Sequence, residues 1–189
     1  MTACTLAPRG SSAVVLLGLL VVRFVHVEGK LQTGTLTFGA AELGSDVDSN
    51  RWHYLGKFGY TIGTGRYELR LKLQGDVERE ADVPRPALDI FLDEDWHRAD
   101  SVAPCSRAQD VPARRSHSFV EVGRDGKWGR WEGGSLFQNV RPHIWYFALA
   151  DCKDNVVEGH QQGTYKVDYE VRWKQFDDSE LSLELRYMP

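Results

Sequence analysis

The side chains with the greatest chemical capacity in this 189-residue sequence are its cysteines, its histidines and one acidic triplet. His53, His97, His117, His143 and His160 are too far apart in sequence to make the close ligand pair of a zinc site. His97 and His117 could meet through loops, but a solvated surface histidine is the commoner outcome. Asp93, Glu94 and Asp95 offer hard oxygen ligands, yet they lack the glycine and the distant glutamate of a calcium loop, so a solvated turn is expected. Asp177-Asp178 reads as a turn between strands, not as a sugar-cleaving carboxylate pair. No Gly-x-Ser-x-Gly elbow is present. These residues define no catalytic centre, and no metal or cofactor is assigned.

The cysteines are better explained by a cross-link. The N-terminus has the three parts of a secretory signal: Arg9, an apolar run from Ala13 to Val22, and small residues beyond it. That run is too short to cross hydrocarbon, which takes about 20 apolar residues, and Arg23 interrupts its extension. Val27 and Gly29 suit the −3 and −1 positions of a cut before Lys30. A signal at 1–29 and a folded unit at 30–189 follow. Cys4 leaves with the signal, so Cys105 and Cys152 remain as an even pair in an oxidising compartment, where a bridge is expected. No Asn-x-Ser/Thr sequon occurs. The formal charge of −4 is spread along the chain without a basic cluster, so nucleic acid is not an expected partner.

The elements that would position these residues read as strands. Tyr67, Leu69, Leu71 and Leu73 alternate with Arg66, Glu68, Arg70 and Lys72; Tyr165, Val167, Tyr169, Val171 and Trp173 alternate with Lys166, Asp168, Glu170, Arg172 and Lys174. A helix would mix these apolar and charged sets. Leu181, Leu183 and Leu185 alternate likewise, and shorter runs cover Thr35 to Phe38, Leu88 to Leu92 and Ile144 to Leu149. Gly63-Thr64-Gly65 predicts a hairpin joining Phe58–Ile62 to the strand after it, and Asp125-Gly126 predicts another between Phe119–Val122 and Lys127–Trp131. Gly75 to Pro86 and Ala99 to Arg115 read as surface loops, and no segment predicts a long helix. The expected fold is all-β: an antiparallel β-sandwich of jelly-roll or Greek-key type with one disulfide. Six tryptophans are many for this length. Trp145 and Trp173 are expected in the core and Trp128 and Trp131 as cross-strand pairs, while Trp96, Trp128 and Trp131 are the candidate recognition residues.

Four segments together resemble the N-terminal luminal domain of the intimal thickness-related receptor family, the Golgi-dynamics-domain seven-transmembrane proteins. They are Gly29 to Leu36; Phe58-Gly59-Tyr60 with Gly65 to Leu69; Ile90-Phe91-Leu92 with Asp95-Trp96 and Cys105; and Arg141 to Cys152. The resemblance spans about residues 29 to 186, with Tyr169-Glu170-Val171 as its last strand, and thins through Ala99 to Gly134. It implies a luminal or extracellular β-sandwich ectodomain joined to seven membrane helices absent from this chain, in the Golgi or plasma membrane. Such a domain recognises a protein or small-molecule ligand in signalling or trafficking, of the kind associated with G-protein-coupled receptors. The shared residues are structural and transfer no catalytic role.

Two other readings share parts of this pattern. A soluble secreted binding module keeps the sandwich without a membrane tail, and a secreted carbohydrate-active jelly roll would set Asp93, Glu94 and Asp95 beside an aromatic platform. Export makes one prediction at once: N-terminal sequencing of the exported protein should begin at Lys30. A retained Met1 on that protein would contradict it.

Overall fold

Alternating side chains do form the two longest strands. The computed structural model describes residues 31–39, 50–75, 84–111, 118–152 and 164–186; residues 1–29, expected from the sequence to be a signal, Lys30, His117 and His160 lie outside them. Strand β3 (Gly63–Gln74) buries Tyr67, Leu69, Leu71 and Leu73, and strand β9 (Tyr165–Lys174) buries Val167, Tyr169, Val171 and Trp173. The two pair antiparallel, Leu69 opposite Val171 and Glu68 opposite Arg172, so their apolar rows share one face and their charged rows the other.

Strand β1 (Leu31–Phe38) adds to the free side of β9. On the far side of β3 lie the two-residue strand β6 (Val122–Gly123), which runs parallel to it, and β7 (Glu132–Gln138), which runs antiparallel. The second sheet has the order β2 (Trp52–Tyr60), β8 (His143–Ala150), β4 (Ala87–Leu92), β5 (Ser118–Phe119), all antiparallel. Its inward residues, among them Phe58, Ile90, Trp145 and Phe147, meet the apolar row of the first sheet. Burying each such large side chain contributes about 1.5–3 kcal/mol. The sandwich and the cross-link are both as the sequence predicts; Cys105 and Cys152 are bonded, with Cα atoms 5.2 Å apart.

Several local expectations are corrected. The turn at Gly63 does not close a hairpin, because β2 and β3 belong to opposite sheets. The chain crosses the sandwich there, which lets Tyr60 and Tyr67 both point into one core. Gly65 permits the crossing, since a Cβ there would overlap the Tyr60 ring. At Asp125-Gly126 the predicted tight turn forms with φ of 53° and 69°, but Lys127 to Trp131 is not a strand, so Trp128 and Trp131 are not cross-strand pairs.

The acidic triplet opens a helix, α1 (Asp93–Ser101), instead of a turn. Its three carboxylates sit in the first turn, where they complement the positive end of the helix dipole. Trp96 and Ala99, three residues apart, face the sheet. A 3₁₀ turn (Pro104–Ser106) and the short helix α2 (Arg107–Asp110) continue through a region read as loop. Leu183–Arg186 is a helical turn, α3, in place of an alternating strand. The segment before it is held by buried Gln175, whose amide donates to Gly59 and Leu181 carbonyls and accepts from the Thr61 amide, while Gly59 N–H donates to Ser182 Oγ. This covers part of the exposed edge of β2.

The bridge closes a 47-residue separation, for which chain entropy gives about 4 kcal/mol. Replacing both Cys105 and Cys152 with serine should lower unfolding free energy by about 2–4 kcal/mol in urea titration. An unchanged midpoint and slope would show that the cross-link contributes nothing to stability.

Candidate functional site

The three candidate recognition tryptophans do not form one surface, because the sandwich puts them on opposite outer faces. On the first sheet, the charged rows of β3 and β9 face outward, and Trp128 and Trp131 lie across them. Arg172 Cζ stands 4.3 Å from the Trp131 ring centroid and Arg70 Cζ 4.5 Å from it. Arg70 is shared with Trp128 at 4.9 Å, and Lys72 Nζ stands 4.9 Å from Trp128. Among the described residues each indole therefore has two cation neighbours. The same cations hold carboxylates of β9: Arg70 pairs with Glu170 at 2.5 Å and Lys72 with Asp168 at 3.0 Å. Hydrogen bonds from Thr35, Lys72 and Gln74 bring the Asp168 carboxyl below its ordinary range, against an opposing effect of burial that is the largest single influence.

The backbone reaches this position through glycine. Gly129 N–H donates to the Leu71 carbonyl at 2.8 Å. A Cβ on Gly123 would overlap the Gly129 backbone, and one on Gly133 would overlap the Tyr67 carbonyl. Only chains lacking side chains at these points can lie this close to β3.

The second sheet carries Trp96. Its indole stacks on Tyr146 with centroids 4.3 Å apart and planes 6° from parallel, and it also contacts Tyr54 at 5.4 Å and Trp52 at 6.1 Å. Phe91, Ala99, Val111 and Ala148 form the buried floor of this cluster. Arg107 Cζ lies 4.2 Å from the Trp52 ring, and burial lowers the Arg107 pKa. Tyr54 is 44% exposed at the cluster's edge, and its phenol is pushed up to about 12, first by burial and then by Tyr146 and Glu184. The disulfide fastens the turn after α1 to Cys152, just beyond the end of β8, so the aromatic face stands on a cross-linked support.

At the N-terminus of α1 the structure assembles Asp93, Glu94 and His143, whose ligand atoms all lie within 4.8 Å of one another. His143 Nδ1 is 3.1 Å from Asp93 Oδ1, and Glu94 is paired with Arg141. Helix dipole and guanidinium already offset these carboxylates, so the cluster is best described as a helix-terminal ion network. His97 is exposed and outside it. Sequence spacing could not have joined His143 to Asp93, because the pairing of β8 with β4 creates that proximity.

A cleft of about 400 Å³ opens where the chain passes between sheets at Val120, lined by Pro84, Phe119 and three arginines, Arg85, Arg124 and Arg130, with Glu121 and Glu132. Arg130 Nε lies 3.2 Å from Glu121. A smaller hollow of about 100 Å³, bounded by Tyr67, Leu69 and Leu88, shares Val120 and Glu132 with it. Its lining takes in the two-residue strands β5 and β6, through Phe119 and Val122. Among the described residues no helix is long and apolar enough to cross a membrane. No family model, no curated protein and no solved structure matches this chain.

His53 joins the two sheets at their β1–β2 side. Its Nε2–H donates to the Thr37 carbonyl at 2.8 Å, and its ring stands edge-on to Phe38. Burial, the largest influence, lowers its pKa below 6.5, against backbone hydrogen bonds that raise it. The unfolded chain therefore takes up this proton first on acidification. Stability from neutral His53 is complete above about pH 6.5 and is lost as pH falls through the lowered folded value. Urea midpoints measured from neutral pH to about pH 5 should fall less in His53→Gln than in wild type. Parallel curves would assign the acid sensitivity to other groups.

Proposed function

We propose that this chain is the non-enzymatic luminal or extracellular domain of a seven-helix membrane protein similar to the intimal thickness-related receptors, and that it recognises a protein or small-molecule ligand. The observation that carries this reading is the stacked Trp52, Trp96, Tyr146 and Tyr54 cluster, partly exposed on a disulfide-supported sheet face. Aromatic side chains that combine a large apolar surface with a polar tip are enriched where proteins meet partners. The disulfide favours an oxidising compartment, and it agrees with the signal-like N-terminus. Ion pairs such as Arg70–Glu170 and Lys57–Glu184 use titratable groups to hold elements together.

The test is the full-length transcript together with side-selective labelling of its product. The reading predicts seven apolar segments of about 20 residues beyond Pro189 and a labelled sandwich on the non-cytoplasmic side. A complete frame without such segments, with the protein recovered free in the medium, would favour the soluble binding module instead. A sandwich labelled only from the cytosol would overturn both.

A further inference from the structure

Trp128-Gly129-Arg130-Trp131 places two indoles three residues apart on an irregular segment, away from the core that holds Trp145 and Trp173. Both indoles are half-buried on an outer sheet face, and their cation neighbours are fixed by the register of β3 and β9. The order along the face is Arg172, Trp131, Arg70, Trp128, Lys72. With cations stacked against the rings, the ring edge is the part of each indole left for other chemistry. The most reactive carbon on the pyrrole edge with a hydrogen to lose is C2.

We propose that Trp128 is a C-mannosylation site, with a dolichyl-phosphate-linked mannose as donor and Trp131 as the downstream aromatic handle read by a luminal transferase. The proposal rests on entry into the secretory pathway, as the functional reading above requires. In the transfer, C2 of the indole attacks the anomeric carbon, and the bond from that carbon to the phosphate oxygen breaks. Dolichyl phosphate leaves with the electron pair, and the C2 proton passes to a base, restoring the aromatic ring. One carbon–carbon bond replaces a carbon–oxygen and a carbon–hydrogen bond, with no net oxidation.

The cation stacking on Trp128 is compatible with this product. A substituent on C2 lies in the plane of the indole, so it leaves Arg70 and Lys72 free to stack on the Trp128 ring. The sugar hydroxyls add acceptors for those same cations. Residues 127–131 are neither helix nor strand, and the two indoles lie within four consecutive residues, so a transferase needs no tertiary structure to read the acceptor segment.

The experiment is peptide mass spectrometry of the chain, expressed with its own N-terminus in animal cells and isolated from the secretory lumen or medium. The peptide spanning Trp128 should carry one hexose that stays on the indole through backbone fragmentation, as a carbon–carbon bond requires. Trp131→Ala should abolish the mass on Trp128, whereas Lys72→Gln should leave it. Exported wild-type protein with a Cys105–Cys152 bridge and an unmodified Trp128 would overturn this inference while leaving the receptor reading intact. A hexose on Trp131 alone would overturn the choice of acceptor. Cytosolic protein with two free thiols would overturn both readings.

Discussion

Neither sheet can bury its apolar row without the other, and the packing of Trp173 between them makes that dependence concrete. Its indole is fully buried, stacked against Phe58 at 6.0 Å and tilted against Phe147 at 5.5 Å, two residues from different strands of the opposite sheet. A Cβ on Gly56 would press on the Trp173 ring, so even the path of β2 is shaped by this side chain. Truncating such a residue typically costs 3–5 kcal/mol, a large share of the stability of an ordinary domain.

With the inner faces committed to each other, the chain crosses repeatedly from one sheet to the other. β1, β3, β6, β7 and β9 fall in one, and β2, β4, β5 and β8 in the other. Connections then collect at the ends and open side, and the two outer faces are free to differ. One became a mixed-charge face whose arginines and lysine hold both carboxylates and indoles. The other carries α1 packed on β4 and β8, with partly exposed aromatic rings beside it. The proposed recognition role belongs to the second face, and the inferred modification to the first.

What the sequence made legible was the face each residue occupies. Alternation at Tyr67 to Leu73 and at Tyr165 to Trp173 identified the buried rows, and the even cysteine pair identified the cross-link. Alternation does not say which sheet a strand joins, which is why the Gly63 turn reads as a hairpin when it is a crossing. Helix α1 was hidden because its charged first turn obscures a short apolar stripe of Trp96 and Ala99. The indole–cation arrangement was half visible. Trp128 and Trp131 were evident, but Arg70, Lys72 and Arg172 become their neighbours only through strand register.

The luminal or extracellular placement proposed above requires the sandwich to mature in an oxidising compartment. Rapid alkylation of the protein in the cells that make it, followed by non-reducing peptide mapping, tests that most directly. The expected result is one linked peptide pair containing Cys105 and Cys152. Recovery of both cysteines as alkylated thiols from the folded protein would contradict it.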